Sequence, residues 1–296
     1  MKILLLGKNG QVGWELQRSL APLGELIALD FDSPSALCAD FTQPEALAAM
    51  VRQVAPQVIV NAAAHTDVDS AESEPELART INAAAPAVLA REAQALEAWL
   101  LQYSTDYVFD GSGNTPWRED APTAPLSVYG RTKLEGEQEI RASGCQHLIL
   151  RTSWVYATRG GNFARTMLRL AVERERLEVI DDQIGAPTGA ELLADVSAHA
   201  LRSVRARPEL GGTYHVVASG ETSWHGYARH VTDFARASGQ VLRVRDIVAV
   251  PTTAFPTAAR RPHNSRLDTR KLQAAFDLAL PDWRVGVERM LCEALH

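Results

Sequence analysis

Cysteine is scarce. The 296 residues hold three, Cys38, Cys145 and Cys292, far apart, odd in number and in no disulfide or metal-ligand spacing. Long apolar runs are missing as well. The run Ile3–Leu6 in "MKILLLG" is too short for a signal peptide or a membrane span, and no other run approaches the length of a spanning helix. Nor is there an excess of positive charge: the net charge of -6 argues against broad nucleic-acid or membrane-surface binding. It leaves room for a local basic pocket that takes a phosphorylated small molecule. No repeat, low-complexity tract or Gly/Ser linker marks a boundary. These absences predict a cytoplasmic protein without a nucleic-acid or membrane partner.

What is present is an ordinary globular composition, 46% hydrophobic and 22% charged, at a length that suits one large or two modest domains. Short apolar runs at Ile3–Leu6, Leu26–Leu29, Val58–Val60, Trp99–Leu101 and Leu148–Leu150 alternate with helical patterns such as Pro44–Val54, Glu76–Leu96 and Lys133–Ala142. Continuous apolar strands alternating with helices predict a doubly wound parallel α/β sheet of the Rossmann type, which takes its ligands at the carboxyl ends of the strands. After residue 154 the pattern is less regular. Helices over Asn162–Glu175, Ala190–Ala206, Trp224–Ser238 and Trp283–Leu295 mix with apolar runs at Leu177–Ile180, Tyr214–Val217 and Val248–Pro251. The expectation is a dinucleotide-binding domain over 1–154 and a smaller, mixed α/β, mainly substrate-binding domain over 155–296, with segments interleaved.

"ILLLGKNGQVG" sets Gly7, Gly10 and Gly13 in a G-x-x-G-x-x-G pattern directly after the first strand. Bare backbone there lets a pyrophosphate approach a helix N-terminus. "LIALD" brings Asp30 to the end of the second strand, where a carboxylate accepts from an adenosine ribose and repels a 2′-phosphate; no arginine follows in "FDSPSA". The coenzyme is thus NADH or NADPH, with a lean to NADH. In "ADFTQPEAL", Asp40 offers a carboxylate to the adenine amino group and Phe41 a ring to the base, although Thr42 and Pro44 also make an ordinary helix start. "VIVNAAAHTDVD", expected to end the fourth strand, supplies the small residues Ala62–Ala64, then His65 and Thr66, against which a dinucleotide can lie.

"SVYGRTK" puts Tyr129 and Lys133 at i and i+4, on one face of a helix. A free phenol titrates near 10 and is a poor acid–base group at neutral pH. An ammonium beside it, with an oxidised nicotinamide, favours the phenolate; a fall of about three units corresponds to roughly 4 kcal/mol. Such a phenol gives a proton to a carbonyl oxygen as hydride reaches its carbon. "LLQYSTDYVFDG" runs from a buried strand into Ser104, Thr105 and Asp106, where a hydroxyl can hold the substrate oxygen or the three merely cap a turn.

These elements, with "GKNGQVGWELQRSLAPLG", "VIVNAAAHTDVDSAESEPE", "PLSVYGRTKLEGE", "RTSWVYA", "DDQIGAPTGAELLAD" and "RRPHNSRLDT", resemble the extended short-chain dehydrogenase/reductase family along essentially the whole chain. The resemblance narrows to its branch that reduces the 4-keto group of dTDP-4-dehydro-β-L-rhamnose to dTDP-L-rhamnose. It implies Tyr129 as proton donor, Lys133 as its electrostatic partner and Thr105 as the tuning hydroxyl. It also implies that Asp106 and Trp154 contact the sugar nucleotide, and that Gly10, Gln11, Val12, Asp30, Asp40, Phe41, Ala64, His65, Thr66 and Tyr103 line the coenzyme. Arg260, Arg261 and Arg266 in "AARRPHNSRLD" fit diphosphate or thymidine recognition, or an ordinary solvated surface. Some members of the branch are Mg²⁺-linked homodimers, and Glu15 and Glu191 fall in the matching motifs. No residue is assigned to a metal.

Two rivals compete. A nucleotide-sugar dehydratase expects an acidic residue directly after "TD", where this chain has Tyr107, and a 4-epimerase lacks the "TDYVFDG" context. A non-catalytic regulatory subunit of the same fold has no need of Thr105, Tyr129, Lys133 and Trp154 together.

Overall fold

A computed structural model describes residues 1–33, 37 and 39–295; Cys38 of the scarce cysteines lies outside the described residues. Five strands come first: β1 (Lys2–Leu6), β2 (Glu25–Leu29), β3 (Val58–Asn61), β4 (Trp99–Thr105) and β5 (His147–Thr152). They match the five apolar runs of the first half. The strand ending in Asn61 is the third and not the fourth, because the described residues between β2 and Pro44 form no strand. The later strands are β6 (Val155–Tyr156), β7 (Arg176–Ile180), β8 (Ile184–Gly185), β9 (Thr188–Gly189), β10 (Gly212–His215), β11 (Thr222–Ser223) and β12 (Asp246–Val250).

The helices are α1 (Gln11–Leu20), α2 (Pro44–Val54), α3 (Val68–Ser73), α4 (Pro75–Arg79), α5 (Ala85–Ala95), α6 (Val128–Ser143), α7 (Phe163–Glu173), α8 (Ala190–Ala206), α9 (Trp224–Ala237), α10 (Arg270–Phe276) and α11 (Trp283–Leu295). Between α4 and α5 the backbone widens to a π turn over Thr80–Ala84. None of the described helices is long and apolar enough to cross a membrane.

One six-stranded sheet, ordered β10-β5-β4-β3-β1-β2 and parallel throughout, organises the molecule. Its strands are apolar on both faces because both faces are covered. Along β1, Ile3 and Leu5 point to the core under α1 and α8, whereas Leu4 and Leu6 point to the core under α2 and α5. This alternation is the two-residue period of an extended chain. The chain leaves β1 towards β2 and then returns to β3 on the other side, which opens a crevice at the carboxyl ends of β1 and β3.

The second half divides its loyalties. The helices α8 and α10 and the strand β10 complete the sheet layer, with Leu193, Leu201, Tyr214 and Phe276 in the same core as β1 and β4. A separate core gathers Met167, Tyr227, Val231, Trp283 and Leu291 from α7, α9 and α11. The small sheets of the second half pair β12 with β7, β11 with β8 and β6 with β9.

Candidate active site

The crevice is a cavity of about 830 Å³. On its coenzyme side Gly7 takes a left-handed φ of +83°, and a Cβ there would sit 2.6 Å from the Ala63 nitrogen. Gly13 packs α1 so closely on the turn that a Cβ would come within 1.9 Å of the Gly7 carbonyl oxygen; it supports the turn from behind and does not line the cavity. Gly7, Gly10, Gln11 and Val12 do line it, as do Asp30, Asp40, Phe41, Ala64, His65 and Thr66. Asp30 is already anchored, Oδ2 accepting from the Asn9 nitrogen at 3.0 Å and Oδ1 from that of Phe31 at 2.9 Å. Asp40 accepts from Thr42, nitrogen and hydroxyl, in the turn before α2, whose first residue is Pro44, and it faces the cavity as well. The glycine cradle, the open wall of small residues and the strand-end carboxylate fit a nicotinamide dinucleotide.

At the other end β4 delivers Tyr103 to Thr105, and α6 delivers Tyr129 and Lys133 to the same wall. Helix α6 starts where Ser127 accepts from the Gly130 nitrogen, an N-cap that fixes the phase of both functional side chains. Burial pushes the Tyr129 phenol up to about 12, the nearby Asp106 adds to this, and the hydrogen-bonded Thr105 hydroxyl is the one influence that lowers it. In the protein alone the phenol therefore keeps its proton; the expected fall towards the phenolate belongs to the state with oxidised nicotinamide beside it. Lys133 is engaged elsewhere. Its ammonium donates to the Tyr103 carbonyl at 2.6 Å and is itself brought down to about 8 by burial, opposed by Glu137. Tyr103 contributes that carbonyl; its ring turns away to the first core, where its hydroxyl meets Ser197 of α8 at 2.6 Å.

Thr105 has the capping role expected of it, and its place on the cavity wall leaves the other open to it. Its hydroxyl oxygen accepts from the Tyr107 nitrogen at 3.1 Å, capping the short turn after β4, and it lies against Asp106 and Tyr129. Ser104, by contrast, is spent on Glu137 at 2.6 Å. Asp106 is 2% exposed, and burial raises its carboxyl to about 6 against the bonds from Ser265 and Thr105. Its Oδ2 has no partner, and neither have the buried hydroxyls of Thr152 and Ser153, all on the cavity wall. Unpartnered buried polar atoms are costly, and here they face the space where a polar ligand would satisfy them. Trp154 closes this wall, its indole stacked on Trp224.

The basic stretch reads differently one arginine at a time. Arg261 is bidentate on Asp69 of α3, Arg266 is paired with Glu221, and Arg260 is exposed; none of the three lines the cavity. Glu15 and Glu191 sit on the packed pair α1 and α8. Burial raises Glu191, with Glu15 adding to it and Arg289 opposing it. No group of three His, Cys, Asp or Glu able to hold a metal occurs among the described residues.

Sequence reasoning missed what holds the site in place. Asn82, in the π turn, accepts from the His65 nitrogen, donates to the His65 carbonyl and reaches Thr132 of α6 at 3.2 Å. Gly136 allows this approach, since a Cβ there would lie 2.2 Å from the Asn82 carbonyl oxygen. A glycine in the middle of a helical pattern was the available signal. Beneath Lys133, Glu137 takes a two-point bond from Arg151 (2.8 and 2.7 Å) with both side chains buried.

A parallel doubly wound sheet with a glycine cradle at its switch point, a strand-end threonine and a helix-borne Tyr-x-x-x-Lys defines a short-chain dehydrogenase/reductase. Comparison with known proteins refines the class. Residues 1–295 match the family model described as RmlD substrate binding domain. The dTDP-4-dehydrorhamnose reductase of Escherichia coli K12 is 60% identical over 293 residues, covering 99% of this chain and 98% of that one. Two solved dTDP-4-dehydrorhamnose reductases share the fold at 34% identity. One, from Clostridium acetobutylicum, has a TM-score of 0.89 and covers 100% of both chains; the other, from Bacillus anthracis in complex with NADP, has a TM-score of 0.87 and covers 99% of both. The chain belongs to this family, the dTDP-4-dehydrorhamnose reductases.

Proposed function

We propose that this chain reduces the 4-keto group of dTDP-4-dehydro-β-L-rhamnose to give dTDP-L-rhamnose, the last step in making that sugar nucleotide, at the expense of NADH or NADPH. The observation that carries the reading is the meeting of Thr105, Tyr129 and Lys133 at one end of a dinucleotide-shaped cavity. When bound there, the reduced nicotinamide supplies hydride. Gly10, Gln11 and Val12 receive the pyrophosphate at the α1 N-terminus, and Asp30 the adenosine ribose. Asp30 favours the unphosphorylated ribose, while the Bacillus anthracis relative was solved with NADP.

The Tyr129 phenol, protonated at neutral pH, delivers its proton to the C4 oxygen, and Thr105 holds that oxygen against it. The Lys133 ammonium then stabilises the phenolate left behind and fixes the nicotinamide ribose. Asp106 Oδ2, Ser153 and Thr152 are the free polar groups that the sugar and the carboxamide would satisfy. Residues 1–154 carry the coenzyme and the later segments mainly the sugar nucleotide.

The test is loss of absorbance at the reduced-nicotinamide band on adding the keto-sugar nucleotide, with the product identified as dTDP-L-rhamnose. Consumption of coenzyme without that product, or none at all, contradicts the reading.

A further inference from the structure

Trp154 is held in an unusual way. It follows β5 with a φ of +50°, a left-handed backbone that a bulky side chain rarely adopts and keeps only where its surroundings impose it. Two neighbours hold its ring. The backbone of Gly185 packs against the five-membered edge of the indole, where a Cβ would lie 2.8 Å from Cε2 and 3.1 Å from Nε1. Trp224 stacks on the ring, centroids 3.7 Å apart and planes 14° from parallel. Both neighbours are placed by one pairing, β8 against β11, which sets Gly185 opposite Thr222 and Ile184 opposite Ser223.

Trp224 is fixed in its turn. Ser223 caps the helix it begins, accepting from the Gly226 nitrogen at 2.9 Å. The indole nitrogen of Trp224 donates to Gln183 Oε1 at 3.1 Å, and the amide of that buried Gln183 donates to Thr252 at 3.0 Å. Phe163 lies 4.6 Å away. Yet of the stacked pair, Trp154 lines the cavity and Trp224 does not.

We infer that Trp224 is a positioning residue for the sugar side of the cleft: through its stack it fixes the angle at which the Trp154 indole meets the substrate. The inference rests on the reading of the cavity given above. A 6-deoxy sugar presents a methyl group and C–H edges, and a ring that cannot turn discriminates such a surface where a mobile one would adapt to it. Trp224 does not line the cavity, so coenzyme binding is expected to be indifferent to it.

The experiment compares Trp224→Leu, Trp224→Phe, Trp154→Leu and the double leucine variant in steady-state kinetics, with coenzyme affinity measured by fluorescence. Trp224→Leu is expected to raise KM for the keto-sugar nucleotide on the order of tenfold, leave the coenzyme Kd unchanged and abolish the near-ultraviolet circular-dichroism couplet of the stacked indoles. Trp224→Phe, which can still stack, recovers part of the KM. In the Trp154→Leu background the second substitution adds nothing. Should Trp224→Leu fail to fold, Gln183→Leu loosens the same ring and is expected to raise KM in the same sense. Unchanged KM, a coenzyme Kd that rises in parallel, or penalties that add in the double variant would overturn the inference. Wild-type enzyme is run alongside. Absence of wild-type turnover removes the reading of the cavity itself, whereas wild-type turnover with Trp224→Leu kinetics unchanged removes only the positioning role.

Discussion

Tyr129 keeps its proton because desolvation and the nearby Asp106 raise its phenol, while the bonded Thr105 hydroxyl opposes them. At this scale the sequence placed the groups but not their surroundings. The i, i+4 spacing placed both groups, but spacing alone does not show that the ammonium is turned to a backbone carbonyl. Asp106 gives a prediction with a definite sign. Its carboxyl titrates at about 6 in the folded chain, above its ordinary 3.8. A carboxyl raised in this way favours folding below pH 3.8, and the advantage is lost as pH rises through 6. The non-titrating Asp106→Asn should therefore gain stability relative to wild type at pH 7.5 compared with pH 3.5, by about 3 kcal/mol for a shift of this size. Activity should fall at the same time. Thermal unfolding at the two pH values checks this, and an equal difference at both contradicts it.

Among the elements, α6 shows best what could and could not be read. Its capping serine, its tyrosine and its lysine stand in one short stretch, and local rules recover them. Its lower half depends on partners remote in sequence. Glu137 lies below the usual carboxylate range although burial opposes this, because the Arg151 guanidinium from β5 grips it and Arg141 and Ser104 add to the grip. No periodicity announces such a pair. Arg151→Met should leave that carboxylate buried and undercompensated, at a cost of about 3–5 kcal/mol, whereas replacing both partners by apolar residues should recover much of the loss. Denaturant unfolding of the single and double variants measures it. The π turn at Asn82 escaped for the same reason: its purpose is a contact with His65 and Thr132, and only the fold brings these together.

At the scale of the whole molecule, the two halves of the chain share a core. The apolar runs foretold β7, β10 and β12 of the second half, but not its two-residue strands, nor that β10 would join the large sheet beside β5, since an isolated run of four residues carries no address. With α8, α10 and β10 completing the layer on which β1 and β4 rest, residues 1–154 alone expose the flank under Leu193, Tyr214 and Phe276. Calorimetry of the full chain should thus show a single unfolding transition, moved upward by coenzyme; two well-separated transitions would contradict the shared core.

The central claim is that the Tyr129 proton is the one given to the keto oxygen. Single-turnover reduction of the keto-sugar by Tyr129→Phe, with coenzyme affinity measured on the same sample, tests it most directly. The account predicts a rate lower by about 10²–10⁴-fold with coenzyme affinity unchanged; a rate close to wild type would mean that the proton comes from elsewhere.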